Sequence, residues 1–242
     1  MTAQLPLFAQ SDRTDRWSVR TSGRARRLSV RVYPGGRVEI VVPPGASPII
    51  VQRFIGAHRQ WIDDRVRDFA GLITVESCLP TRIELPAVGK SFAVTYVDQD
   101  SPPRVRLGED GVVVITGSQL DRRVIALALR RWLCEFAVGE LGDRLALVSR
   151  GTGLAFRKLQ IRRQRTRWGS CSMSGTISLN VCLLFLDPDV LRYLMVHELC
   201  HTQHMNHSAR FWGLVEFHEA DYRALDKALL RGWQQVPGWM FG

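Results

Sequence analysis

The sequence predicts an α+β fold, with strands and helices segregated along the chain and without the strict alternation of a parallel sheet. Three observations carry that expectation. Apolar residues alternate at period two over Leu28, Val30, Val32 and again over Val38, Ile40, Val42. A long apolar-periodic segment runs from Val124 through Val148. Asp187-Pro188, a cap followed by a first-turn proline, opens a strongly apolar run ending in histidines.

In chain order, residues 1–15 read as a flexible tail, polar after a short apolar start. Leu28 to Val42 reads as a β-hairpin around Pro34-Gly35-Gly36, ended by Pro43-Pro44-Gly45. Ser47-Pro48 then caps a helix, and Ile50, Val51, Phe54, Ile55, Trp61, Ile62 and Val66 carry it at helical spacing to about Phe69. A second strand pair is expected at Phe92–Val97 and Val105–Ile115, with turn residues at Ser101-Pro102-Pro103 and Gly108 to Gly111. Ser118 and Asp121 have capping-box spacing ahead of the Val124–Val148 segment, which forms one long helix or two broken near Gly139 to Gly142. Strand character returns at Lys158–Arg163 and Thr176–Val181, read as a hairpin with Ser172 to Gly175 as its turn. A buried helix over Val190–His204 and a last helix from about Ala209 to Leu230 complete the chain. The organisation is then a tail and one domain, 16–242, made of a β-rich half at 16–117 with one helix and a second half at 118–242.

Composition excludes several classes. No apolar stretch approaches the roughly 20 residues of a membrane helix, and Met1 to Gln10 lacks the regions of a secretory signal, so a cytoplasmic location without membrane attachment is expected. Five cysteines, scattered and without C-x-x-C spacing, argue for reduced thiols and against a disulfide framework or a thiolate zinc site. The net charge of +10 favours anionic partners. Eight arginines between Arg13 and Arg37, and seven basic residues with no acidic one from Arg150 to Arg167, make nucleic acid a candidate partner, although solvated strand faces would look the same.

The chemistry concentrates at His197-Glu198-Leu199-Cys200-His201, the H-E-x-x-H pattern. Histidines four apart on a helix share one face, within reach of a single zinc ion. At about 100° per residue His197, His201 and Glu198 fall at about 0°, 40° and 100°, so the carboxylate lies beside a metal without having to bind it. Such a site can activate water, with glutamate as general base. The flanking Leu191, Leu194, Met195, Val196 and Leu199 imply a buried helix, where ionisable groups are costly unless paired or metal-bound.

A catalytic zinc takes a third protein ligand. His207 follows His201 by the spacing found in H-E-x-x-H-x-x-G-x-x-H peptidases, with Asn206 suited to the chain reversal between them. His204 lies about 10 Å of axial rise from His197 and makes a poorer corner of a tetrahedron. Glu216 and Glu219 in the following helix are the remaining alternatives. Trp168-Gly169-Ser170-Cys171-Ser172 reads either as cleft lining, with glycine admitting a peptide, or as core. Cys200 reads as a buried inert thiol; Arg192 and Tyr193 as oxyanion stabilisers or packing residues.

The stretches R-A-R-R-L-S-V-R-V near the start, R-W-G-S-C-S from Arg167, I-S-L-N from Ile177, H-E-L-C-H from His197 and N-H-S-A-R-F-W from Asn206 resemble the YgjP-like metallopeptidase domain family, related to the SprT-like and WLM zinc peptidases. The resemblance implies His197, His201 and His207 as metal ligands, Glu198 as catalytic residue and one Zn2+ per chain. It also implies a zincin-like C-terminal half, with the active-site helix beside an antiparallel sheet, preceded by a β-hairpin/helix N-terminal half. The expected activity is zinc-dependent peptide hydrolysis of a peptide or protein substrate. The competing reading from another class is a nucleic-acid-associated protein whose zinc site is regulated or vestigial. Substrate specificity and oligomeric state are not legible.

Overall fold

The computed structural model describes residues 17–33, 36–70, 79–117 and 122–241, and divides the chain into two compact units, 1–74 and 75–242. The tail, most of the Pro34-Gly35-Gly36 turn and the Ser118/Asp121 cap lie outside the described residues. Among the described residues no helix is long and apolar enough to cross a membrane.

The first unit contains a three-stranded sheet. Strands β2 (Ser29–Tyr33) and β3 (Arg37–Val42) form the expected antiparallel pair, with Val30 opposite Ile40 and Val32 opposite Val38. The preceding β1 (Trp17–Thr21), not expected from the sequence, runs parallel to β3 and makes it the central strand. Accordingly Val38, Ile40, Val41 and Val42 are buried. The helix expected up to Phe69 is two, α1 (Pro48–Ala57) and α2 (Arg59–Ala70). The break is at His58, whose ring packs tilted against Phe54 while Nδ1 lies 2.8 Å from the Phe54 carbonyl, so the side chain engages an acceptor of the helix ladder.

The second unit holds the remaining elements. Strands β4 (Arg82–Leu85), β5 (Lys90–Asp98), β6 (Arg104–Leu107) and β7 (Val113–Gly117) form a sheet in the order β4-β5-β7-β6. The expected turn at Gly108 to Gly111 separates β6 from β7, and β5 pairs in parallel with β7, not with its sequence neighbour β6. Helix α3 (Arg122–Thr152) is continuous through Gly139 and Gly142. Its buried stripe, Ile125, Leu129, Leu133, Ala137, Leu141, Leu145 and Val148, outweighs the roughly 1 kcal/mol that each mid-helix glycine costs.

Strands β8 (Lys158–Arg162), β9 (Gly169–Cys171) and β10 (Thr176–Asn180) make a mixed sheet. The expected β8/β10 hairpin is corrected: these strands pair in parallel, and the turn at Ser172 to Gly175 instead joins β10 to β9, its antiparallel partner. Then come α4 (Pro188–Cys200), α5 (Ala209–His218) and α6 (Tyr222–Arg231). The single last helix of the sequence reading is broken by Arg192, which donates to the His218 carbonyl at 3.3 Å and pairs with the Glu219 carboxylate at 3.0 Å, tying off α5 from outside. Helix α4 is at the centre, packed by α3, α5, α6, β9 and the single turn Pro86–Val88.

Candidate metal centre

Helix α4 starts where the sequence places it. Asp187 Oδ1 accepts from the Asp189 N–H at 2.9 Å and Pro188 occupies the first turn, where no donor is needed. Nine of its residues are buried, from Val190 to Cys200, so the helix is enclosed on several faces. At its C-terminus the ladder tightens: Thr202 N–H reaches Leu199 O at 2.9 Å and Gln203 N–H reaches Cys200 O at 3.1 Å. The Thr202 hydroxyl donates to Leu199 O at 2.7 Å. Beyond His204 the chain reverses, and Ser208 caps α5 by accepting from Phe211 N–H at 3.4 Å.

That reversal brings His207 back over α4. His197, His201 and His207 each offer a ring nitrogen, and these atoms all lie within 4.8 Å of one another. The Nε2 atoms of His197 and His207 stand 3.2 Å apart, close to the edge of about 3.3 Å of a tetrahedron built on metal–nitrogen bonds of about 2.0–2.1 Å. Phe211, fully buried, is the shared floor: its ring stacks on His201 at 4.4 Å and lies 4.9 Å from His197 and 4.8 Å from His207. Trp212 stacks on His207 at 5.6 Å and on Tyr222 at 5.3 Å. The Nδ1 of His201 faces the His204 carbonyl at 3.0 Å, a contact in which Nδ1–H donates and Nε2 keeps its lone pair. Burial and the neighbouring His201 and His207 push the His197 pKa down to about 3; burial also lowers that of His201. Both rings are therefore neutral at neutral pH, the state a metal requires.

Glu198 is 4% exposed, and its Oε2 is buried without a hydrogen-bond partner. An orphaned carboxylate oxygen on the residue next to His197, together with three converging imidazoles, fits a site built for a divalent cation and a water molecule. Burial pushes its pKa up to about 8, offset in part by the positive charge of Arg167. Gly169 on β9 makes the fit possible: a Cβ there would stand 2.6 Å from Glu198 Oε1. The glycine thus admits the glutamate side chain, where the sequence reading had it admit a peptide. Asn180, 1% exposed, holds the approach to β9 by donating to Gln164 O at 2.8 Å and Arg167 O at 2.7 Å, while its Oδ1 accepts from Cys182 N–H at 3.1 Å.

The other candidates separate from the cluster. His204 contributes its carbonyl, not its ring. Glu216 pairs with Arg223 at 2.9 Å and Glu219 with Arg192 at 3.0 Å, both outside the histidine group. Arg192 is thereby engaged, and Tyr193 donates to Asp226 at 2.9 Å, so neither of these contacts points to an oxyanion role. Cys200 is fully buried, its thiol pKa raised to about 12 by burial. Trp168 is core, stacked on Trp233 at 4.0 Å. The sequence reading missed Phe211, Asn180 and Asp226. Phe211 had a signal in the F-W pair four residues beyond His207; the other two act across long separations.

A family model described as YgjP-like, metallopeptidase domain, matches residues 26–231. Among solved structures the chain is similar to the crystal structure of the metallopeptidase zymogen of Pyrococcus abyssi abylysin, at 24% identity over 40% of this chain and 98% of that chain, with a TM-score of 0.36. No curated protein matches.

Proposed function

The chain belongs to the YgjP-like metallopeptidase domain family, and from that premise we propose that it is a zinc-dependent peptidase with Glu198 as general base and His197, His201 and His207 as ligands of one zinc ion. The observation that carries this reading is the convergence of three imidazole nitrogens within 4.8 Å, with a buried carboxylate that has an unpartnered oxygen on the residue next to His197 in the chain. When bound, zinc supplies Lewis acidity, lowering the pKa of water toward about 7 and polarising a substrate carbonyl.

The protein's own groups do the rest. Phe211 and Trp212 fix the ring planes, and the His204 carbonyl orients His201, so the ligand nitrogens are held in place before any ion arrives. Glu198 has a pKa of about 8 in the ion-free chain, within reach of neutrality, where a general base is most effective, and positive charge brought into the site favours its ionised form. It takes a proton from the attacking water and passes it to the departing amine. Gly169 keeps the space in which that carboxylate works.

The test combines metal content with turnover. The purified protein is expected to carry about one zinc per chain. Glu198→Gln is expected to keep the zinc and the fold while peptide hydrolysis falls by about 100-fold or more. An active Glu198→Gln protein, free of contaminating protease, would move the base elsewhere; stoichiometric zinc in a His197→Ala/His201→Ala protein would remove the motif from the reading.

A further inference from the structure

One turn before His197 on α4, Tyr193 is fully buried with its hydroxyl between two polar groups. It lies 2.9 Å from Asp226 Oδ1, contributed by α6, and 3.5 Å from His197 Nδ1. A carboxylate only accepts, and a phenol has one proton. With that proton directed to Asp226, the Tyr193 oxygen can meet His197 only as an acceptor.

We propose that Asp226 and Tyr193 are positioning residues that set the tautomer of His197, holding the proton on Nδ1 and leaving Nε2 unprotonated toward His207 and the metal position. His201 reaches the same state by a different route, its Nδ1 facing the His204 carbonyl. His197 on α4 and His201 at its C-cap therefore present Nε2 through two separate supports, one borrowed from α6 and one local. The roles within the pair are unequal. Removing Tyr193's hydroxyl leaves His197 without a preference, whereas removing Asp226 frees the hydroxyl to donate to Nδ1, which moves the imidazole proton to Nε2 and blocks the ligand nitrogen.

The proposal rests on the metal-site reading above for its effect on affinity, but not for the tautomer itself, so two measurements separate them. Imidazole 15N NMR of the ion-free, full-length protein is expected to show His197 protonated at Nδ1, a tautomeric mixture in Tyr193→Phe, and Nε2 protonation in Asp226→Ala. Competitive chelator titration is expected to show zinc bound about 10- to 100-fold more weakly in Tyr193→Phe. The loss in Asp226→Ala is expected to be at least as large, and in the double variant no larger than in Tyr193→Phe alone. Tyr193→Phe keeps the buried ring, so it decides the matter should Asp226→Ala fail to fold. Parent-like tautomer and affinity in Tyr193→Phe, or additive losses in the double variant, would overturn the proposal. A parent protein that binds no zinc would instead overturn the metal-site reading, with the tautomer result still deciding this one.

Discussion

Glu198 couples the candidate metal centre to the pH dependence of folding. In the ion-free chain its carboxyl holds a proton up to about 8, against an ordinary value of 4.5, so the stability associated with it is full below about 4.5 and is lost as pH rises through 8. His197 works in the opposite sense. With its pKa lowered from 6.5 to about 3, it contributes stability that is present above 6.5 and lost as pH falls through 3. The two slopes oppose one another between 4.5 and 6.5, and above 6.5 only that of Glu198 remains. In thermal melts of the ion-free proteins, the Tm advantage of Glu198→Gln over the parent should therefore widen between pH 6.5 and 8. A constant difference across that range would mean that Glu198 is not desolvated. Gly169 gives a second residue-scale expectation. The Cβ of Gly169→Ala would stand 2.9 Å from Glu198 Cγ and Cδ, and the clash should cost about 1–3 kcal/mol in denaturant melts and reduce turnover while zinc is retained. Adding Glu198→Ala should restore most of the lost stability; no recovery would place the strain elsewhere.

At the scale of elements, the end of α4 decides which histidines converge on the candidate metal position. The turn beyond Cys200 carries the His204 backbone to His201, and the reversal after it returns His207 to within 3.2 Å of His197. His207→Ala should accordingly lose tight zinc binding and activity together. His204→Ala, which leaves its carbonyl in place, should keep zinc to within about 10-fold of the parent in a chelator titration. The reverse order would redraw the ligand set. The start of α4 was legible because its signals are local: Asp187-Pro188 and histidines four apart act within a turn or two of their own positions. The neighbouring sheet was not. Gly169-Ser170-Cys171 carries no alternation to announce a strand, yet it is the antiparallel partner of β10, which leaves β8 to pair in parallel on the other side. Nor could the break between α5 and α6 be read from its own residues, since Arg192, which makes it, lies 26 residues before His218.

Across the whole molecule, charge was the least informative property at the sequence level. One member of the basic run from Arg150 to Arg167 has internal work: Arg163 donates to Met240 O at 3.2 Å, beside a similar bond from Arg130, outside the run on α3, to Trp239 O at 2.7 Å. The metal centre has the opposite distribution. His197 and His207 are only 10 positions apart, with His201 between them, whereas Gly169 on β9 and Asp226 on α6 reach the site from far along the chain. Closing so short a loop takes about 10–100 ns and little entropy. On the proposed ligand set, a denatured chain is expected to seize zinc with the same three imidazoles while the pocket around Glu198 does not yet exist. Zinc should then raise Tm by less than RT ln(1 + [L]/Kd) implies for the folded protein, because the competing unfolded state is also a ligand-bound one. Calorimetric melts over a zinc series measure the shortfall, and the full increment would show that the denatured segment does not hold the ion. If the shortfall is found, metal occupancy during refolding would run ahead of enzymatic competence, and zinc content alone would be a poor gauge of how much of a preparation has reached its working form.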